Sequence, residues 1–157
     1  MITIATLCPD DWTRWRDMRL SALREAPEAF CASLSDWEHQ GEQRWRDRLA
    51  DVSVNFIALL DGRDAGMVSA MASDQEVELL SMWVAPFARG KGVGDELVSA
   101  DITWSESQQA PRLILRVLDG NHRAVTLYSR HGFEYESPES ATNGPPAPER
   151  LMAFTQP

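Results

Sequence analysis

One short segment carries residue types that bind negatively charged groups. Residues 89–94 read Arg-Gly-Lys-Gly-Val-Gly and stand directly before a predicted helix. The unpaired backbone N–H groups and the positive dipole end of a helix N-terminus attract anions, and glycine lets an anion approach the backbone closely. The segment therefore predicts a loop that binds phosphate groups.

Two common phosphate motifs do not fit this loop. A P-loop needs Ser or Thr after its lysine and an earlier glycine, but glycine follows Lys91, and Pro86 or Phe87 takes the earlier place. A dinucleotide fingerprint needs a third glycine where the chain has Asp95 or Leu97. A glycine-rich turn with solvated charges is the remaining alternative to a polyphosphate site.

The elements that must position this loop are predicted from hydrophobic periodicity and turn residues. Helices are predicted from a cap at residue 10 or 11 to residue 25, and over 35–49, 94–108 and 123–130. Strands are predicted over 3–7, 54–60, 65–72, 76–84, 113–117, 133–136 and 150–154, with a hairpin turn at 61–62 and a surface loop at 137–148. Alternation along 76–84 predicts that Glu78, Leu80, Met82 and Val84 share one face.

Composition and charge exclude several classes of protein. With 157 residues, 43% hydrophobic and 25% charged, the chain is predicted to form one globular domain over 1–157. The net charge of −9 disfavours nucleic acid and anionic membranes as partners. No apolar run approaches the roughly 20 residues of a membrane span. Cys8 and Cys31 do not have the spacing of metal ligands. We therefore predict that both are reduced, buried thiols with a structural role, and that the protein is cytoplasmic.

Two stretches together resemble a known family. Residues 84–94 are similar to the acyl-CoA pyrophosphate signature of the GNAT superfamily of N-acetyltransferases, Gln/Arg-x-x-Gly-x-Gly/Ala. Residues 121–133, Asn-x-x-Ala-x-x-Leu-Tyr-x-x-x-Gly-Phe, resemble the family's next motif at its usual distance downstream. The resemblance covers an acetyl-CoA-binding core over 76–135, while residues 1–50 match only in element order, as the helices on the acceptor side.

The resemblance implies an α+β fold, with a mixed, mostly antiparallel sheet of six to seven strands and helices on both faces. The sheet would be splayed between the strands that end at Val84 and near Val117, and acetyl-CoA would lie in the opening. Its pantetheine would pair with the backbone of Met82 and Val84, and Met82 or a neighbouring N–H would polarise the thioester carbonyl. Asn121 would contact pantetheine or set up the following helix. The pyrophosphate would lie on the backbone of Arg89, Gly90, Lys91, Gly92, Val93 and Gly94.

Two side chains are candidates for proton transfer. A lysine-type amine has a pKa of about 10.4, so an acceptor must take its proton near neutral pH. Glu78 lies six residues before Val84, where some members of the family carry a base glutamate, and it would act directly or through water. Tyr128 resembles the family's acid that meets the departing thiolate, with hydrogen bonding to sulfur as the safer role. The alternatives are a plain strand-end carboxylate and an aromatic anchor for a short helix.

We therefore predict an enzyme that moves acetyl from acetyl-CoA directly to a primary amine of a small molecule or peptide, without a metal. An acyl-CoA-binding regulatory module without turnover is the alternative from a different class, and another acyl-CoA donor is a third possibility. The sequence leaves open the identity of the amine and whether two copies form a homodimer.

Overall fold

The chain forms seven strands and five α-helices in the computed structural model, which describes residues 1–30, 32–136 and 149–157. The strands are β1 (Ile2–Thr6), β2 (Val54–Leu60), β3 (Arg63–Ala72), β4 (Val77–Val84), β5 (Arg112–Leu118), β6 (Glu134–Tyr135) and β7 (Glu149–Thr155). The helices are α1 (Trp12–Glu25), α2 (Leu34–Trp37), α3 (Glu42–Asp51), α4 (Val93–Ser107) and α5 (His122–Arg130). The predicted loop at 137–148 and the prediction for Cys31 lie outside the described residues.

All seven strands belong to one sheet, in the order β1-β2-β3-β4-β5-β7-β6. Neighbouring strands are antiparallel except β4 and β5, which run parallel. Helix α4 makes the long crossover that parallel neighbours require. The turn between β2 and β3 contains Gly62 at φ 86°, a left-handed conformation that glycine adopts without steric cost. The predicted α+β class and mixed, mostly antiparallel sheet are confirmed.

Helices cover both faces of the sheet, also as predicted. Leu97 and Val98 of α4 are fully buried on one face, in the same core cluster as Tyr128 of α5. Trp15 of α1 and Trp45 of α3 are buried in the cluster on the other face. Each fully buried large apolar side chain contributes about 1.5–3 kcal/mol, so both helix layers stabilise the sheet between them.

The single helix predicted over 35–49 is wrong. The chain forms α2 and α3 instead, separated at Gly41, whose extended backbone precedes α3. Ser33, rather than Ser35 or Asp36, caps α2, and its Oγ accepts a hydrogen bond of 3.3 Å from the N–H of Asp36. Glycine inside a helix costs about 1 kcal/mol relative to alanine, which favours a break at this position.

A β-bulge interrupts the alternation predicted along β4. Ser81 has φ 56°, and the register of β4 with β3 shifts at the same point. The extra residue reverses the faces that follow it, so the prediction of one shared face is wrong. Met82 and Val84 pack against the core beneath α4, whereas Glu78 and Leu80 lie on the face covered by α1 and α3.

The remaining predicted elements agree with the structure to within one or two residues at each end. The expectation of a buried thiol is wrong for Cys8, which is exposed. Cys8 precedes a short 3-10 helix at Pro9–Asp11, and its N–H donates to Oδ2 of Asp11 at 2.9 Å, which holds the residue at the surface.

Candidate active site

The candidate site is an opening in the sheet between β4 and β5. The two strands pair only at Val77 with Leu113 and at Glu78 with Ile114, and then diverge. A cavity of about 1190 Å³ fills the opening, with walls from β4, β5, the N-terminal end of α4 and the loop before it, α5, and the helices α1 and α3. The splayed sheet expected between these two strands is therefore observed.

The loop at 89–94 forms part of the cavity wall, which Arg89, Gly90, Gly92, Val93 and Gly94 line. The N–H of Arg89 donates to the carbonyl of Pro86 at 3.4 Å, and the N–H of Glu96 donates to the carbonyl of Gly92 at 3.1 Å. Between these two bonds, the amides of residues 90–95 donate to no group in the described part of the chain. Gly90 and Gly92 have φ of 76° and 90°, so glycine gives the loop a turn that other residues rarely adopt. Unpaired amides at a helix N-terminus fit a diphosphate.

The two cationic side chains of the loop differ in their surroundings. Nη1 and Nη2 of Arg89 donate to the carboxylate of Glu25 at 2.9 and 2.7 Å, and its Nε donates to the carbonyl of Val84 at 3.1 Å. Nε1 of Trp83 donates to the same carboxylate at 2.9 Å. Hydrogen bonds from Arg89, and then Trp83, lower the pKa of Glu25. Arg89 thus joins the end of α1 to the loop, whereas Lys91 is exposed.

Among the described residues, the edge of β4 that faces the opening pairs with no strand beyond Glu78. Met82 and Val84 line the cavity along this edge. The preceding bulge at Ser81 turns their side chains towards the α4 layer, and Arg48 Nη2 donates to Oγ of Ser81 at 3.1 Å. An exposed strand edge can pair with an extended ligand through main-chain hydrogen bonds, and these two predicted residues are in position to do so.

Glu78 also lines the cavity, but its carboxylate has a partner. Nη1 of Arg116 on β5 donates to Oε2 of Glu78 at 2.6 Å, and this bond raises the pKa of Arg116. The Glu78 side chain is 28% exposed. Because of the bulge it lies on the α1–α3 face rather than beside Met82. An amine that reached Glu78 would therefore share this carboxylate with Arg116.

Tyr128 lies at the α5 wall of the cavity and is only 6% exposed. Its ring packs edge-on against Phe133, with centroids 5.8 Å apart. Burial, and secondly the nearby carboxyl of Asp101, raise the pKa of Tyr128 well above its ordinary value. The raised pKa favours the protonated phenol, which can donate a hydrogen bond.

Asp101 is a residue that sequence reasoning missed. It is fully buried in α4, and neither carboxyl oxygen has a hydrogen-bond partner in the described structure. Burial raises the pKa of Asp101 well above its usual range, which favours the protonated carboxyl. Its position in an otherwise ordinary amphipathic helix gave no signal in the sequence.

Two further residues set the approach of α5 to the site. Oδ1 of Asn121 accepts a hydrogen bond of 3.3 Å from the N–H of Ala124, so Asn121 caps α5 while it also lines the cavity. A Cβ atom at Gly94 would lie 3.1 Å from Cδ2 of Leu127. Glycine at this position therefore allows the first turn of α4 to approach α5 closely.

Sequence reasoning also missed the arginines on the α1–α3 side of the cavity. Arg19 of α1 and Arg48 of α3 line this side, and both are partly buried. An arginine in an amphipathic helix ordinarily lies at the surface, so no local pattern distinguishes these two from the other arginines of the chain. Within the described ranges, no three His, Cys, Asp or Glu side chains converge as a metal site would require.

The chain belongs to the acetyltransferase (GNAT) family, whose model matches residues 12–133. It is 29% identical over 141 residues to a mycothiol acetyltransferase of Renibacterium salmoninarum, in an alignment that covers 84% of this chain and 40% of the relative. It is 33% identical over 126 residues to a streptothricin acetyltransferase of Streptomyces lavendulae, covering 76% of this chain and 66% of the relative. The chain thus spans about two fifths of the length of the mycothiol acetyltransferases it matches.

Solved structures of the family share the fold across the whole chain. An acetyltransferase of the GNAT family from Streptococcus pneumoniae superimposes with a TM-score of 0.81 at 20% identity, covering 99% of each chain. The PaiA N-acetyltransferase of Thermoplasma acidophilum, solved in complex with coenzyme A, gives a TM-score of 0.77 at 18% identity, again over 99% of each chain. In the parts of this chain that the structure describes, no helix combines the length and apolarity needed to cross a membrane.

Proposed function

We propose that this chain is an N-acetyltransferase that moves the acetyl group of acetyl-CoA directly to a primary amine of a small molecule or peptide. One observation carries the proposal: the loop whose amides at 90–95 have no hydrogen-bond partner in the described structure and the edge of β4 that lacks a strand partner there line the same cavity. The first can bind a diphosphate and the second an extended pantetheine chain. A CoA thioester carries both groups in one molecule.

The binding half of the proposal uses the residues named from the sequence. The diphosphate lies on the backbone of residues 89–94, with Lys91 adding positive charge at the exposed rim. Pantetheine pairs with the main chain of Met82 and Val84. Asn121 acts by capping α5, which keeps Tyr128 at the cavity wall.

The chemical step forms one C–N bond and breaks one C–S bond. The neutral amine attacks the thioester carbonyl, while a backbone N–H at or beside Met82 donates to the oxygen on which negative charge develops. One such donor is typically worth about 2.7–4 kcal/mol. Glu78 takes the proton that the amine loses, directly or through a water molecule. The CoA thiolate leaves and accepts a hydrogen bond, or the proton, from Tyr128.

The names of the relatives support a small-molecule acceptor. The similar proteins are named as acetyltransferases of mycothiol and of streptothricin, and this chain shares their matched segment. Outside the loop at 89–94, the cavity wall also includes Arg19 of α1 and Arg48 of α3, from the part of the chain expected to border the acceptor.

Calorimetry and a thiol-release assay test this proposal together. Purified full-length chain is titrated with acetyl-CoA, and the release of CoA thiol is then followed with a panel of amines. We expect binding and turnover on at least one amine. Binding without turnover on any amine would favour the regulatory module. Absence of a heat of binding would contradict the CoA site. Faster turnover with a longer acyl-CoA would show that acetyl-CoA is not the preferred donor.

A further inference from the structure

Two arginines line the cavity, and neither forms an ion pair with a carboxylate in the described part of the chain. Arg19 projects from α1 and Arg48 from α3, and both line the cavity on the α1–α3 face. Among residues 1–30, 32–136 and 149–157, no ion pair joins either guanidinium to an acidic side chain. Other arginines of this chain, which carries a net charge of −9, do pair with carboxylates, as Arg112 and Arg130 do.

Arg48 is held in a fixed position by neutral groups. Its Nη1 donates to Oδ1 of Asn55 at 2.9 Å, and its Nη2 donates to the hydroxyls of Ser69 at 3.3 Å and Ser81 at 3.1 Å. The guanidinium carbon also lies 5.0 Å from the centre of the Trp15 ring. These contacts orient the cation without cancelling its charge.

The guanidinium of Arg19 has fewer hydrogen-bond partners than that of Arg48 in the described structure. Its guanidinium carbon lies 4.8 Å from the centre of the Phe30 ring. Its Nη1 is buried and has no hydrogen-bond partner in the described structure. A buried donor without a partner costs free energy, so this atom fits a ligand group that accepts a hydrogen bond.

The two cations also repel each other. Burial lowers the pKa of Arg19 to about 10, and burial together with the positive charges of Arg19 and Arg44 lowers the pKa of Arg48 to about 10. Both groups remain charged at neutral pH. A bound anion would relieve the repulsion and supply the missing acceptor, and a carboxylate matches the planar fork of guanidinium donors.

The pair lies close to the proposed site of acetyl transfer. Arg48 donates to the hydroxyl of Ser81, the residue directly before Met82. Glu78 lies on the same α1–α3 face of the sheet and lines the same cavity. An acceptor whose amine lies beside Glu78 would therefore occupy the same cavity that Arg19 and Arg48 line.

We propose that the acceptor of this enzyme is an amine that also carries a carboxylate, bound by Arg19 and Arg48. The inference rests on the proposed function, because it names the class of substrate for the same site. It makes the acceptor side of the cavity cationic although the molecule as a whole is acidic. Arg19 and Arg48 would accordingly determine which acceptor binds, while the amine of the acceptor lies beside Glu78.

The test compares acceptors that differ only in the carboxylate. The full chain with acetyl-CoA is offered α-amino acids, each beside its own carboxamide, and thiol release is measured. We expect kcat/KM for the acids to exceed that for the amides by roughly tenfold or more, because hydrogen bonds to charged groups are the stronger ones. Arg19→Met should remove this preference, and Arg19→Lys, which keeps the charge, should restore part of it.

Arg24→Met is the matched control, since Arg24 lies on the same helix but is exposed and outside the cavity wall. It should leave the acid-to-amide ratio unchanged. Thermal melting checks that each variant is folded. Titration of the same proteins with N-acetylated amino acids and their carboxamides measures binding without turnover.

The outcomes separate the inference from the proposed function. Equal turnover of acids and amides, or an equal loss for both in Arg19→Met, overturns the carboxylate site and leaves the transferase intact. Absence of turnover on every acceptor, with carboxylate-selective binding that Arg19→Met abolishes, overturns the transferase and supports the site. Absence of selectivity in both rate and binding overturns the carboxylate site.

Discussion

Single residues in this site have roles that depend on their burial. Tyr128 lies on α5 and Asp101 on α4, and the Asp101 carboxyl contributes to the raised pKa of Tyr128. Both are buried, so each is favoured in its neutral, protonated form. A neutral phenol can donate to a sulfur anion, whereas an ionised one would repel it.

Tyr128→Phe should lower kcat roughly 10- to 100-fold, because it removes a hydrogen bond to a charged leaving group. The affinity for acetyl-CoA, measured by calorimetry, should change little, since the ring that packs on Phe133 is kept. Tyr135→Phe is the control, because Tyr135 is 40% exposed and outside the cavity wall. Unchanged turnover in Tyr128→Phe would remove Tyr128 from the chemistry.

Asp101 should make stability depend on pH. A carboxyl whose pKa is raised by folding stabilises the protein fully below its unfolded pKa of about 3.9, and this stability is lost as pH rises towards the folded pKa. The slope is at most about 1.4 kcal/mol per pH unit. Urea unfolding of Asp101→Asn, which cannot ionise, should give a flatter profile across this window. Identical profiles for the two proteins would mean that Asp101 is ionised in the folded state.

At the scale of elements, the start of α4 and the bulge in β4 define the site. The loop before α4 turns through glycines with positive φ, which exposes its amides. The bulge at Ser81 places Met82 and Val84 towards α4, and leaves Glu78 on the face covered by α1 and α3. A regular strand would have put all three side chains on one side of the sheet.

Gly92→Asp should abolish acetyl-CoA binding while the fold remains intact. It adds a carboxylate beside the amides proposed to hold the diphosphate, and like charges in contact cost several kcal/mol, which corresponds to at least about a 100-fold loss of affinity. Gly62→Asp is the matched control. Gly62 has φ 86° against 90° for Gly92, so both variants carry similar backbone strain. Normal CoA binding by Gly92→Asp would contradict the loop assignment.

At the scale of the whole molecule, one carboxylate joins helix α1 to β4 and to the glycine loop before α4. Glu25 at the end of α1 accepts hydrogen bonds from Arg89 of the loop and from Trp83 of β4. The contact spans 64 residues of sequence, so it links two parts of the chain that local structure does not connect.

Glu25→Gln should lower the free energy of unfolding by about 0.5–1 kcal/mol at neutral pH, because the pair is about one third exposed and is screened by solvent. The pKa of Glu25 is lowered by folding, so this contribution is present above its unfolded pKa and is lost as pH falls through the folded pKa. Urea unfolding at neutral and acidic pH measures both effects, with Glu28→Gln, at an exposed neighbouring position, as the control. An equal difference between wild type and variant at both pH values would contradict the role of the charge.

The order and type of the elements, and the glycine loop between β4 and α4, could be predicted from the sequence. Periodicity, turn residues and motif spacing are local properties, and they persist whatever the tertiary contacts are. The prediction of one helix over 35–49 was wrong because Gly41 separates α2 from α3. The prediction that Glu78 shares a face with Met82 was wrong because an alternating sequence pattern does not reveal a β-bulge.

The sequence by itself therefore determined the family, the layered α+β architecture and the backbone segment that can hold a diphosphate. Only the tertiary structure decided that Glu78 pairs with Arg116, that Asp101 is buried without a partner, and that Arg19 and Arg48 meet in one cavity. These contacts join residues that are 29 to 38 positions apart or that belong to different layers. Their energies depend on burial and on charges from other elements, which no local pattern contains.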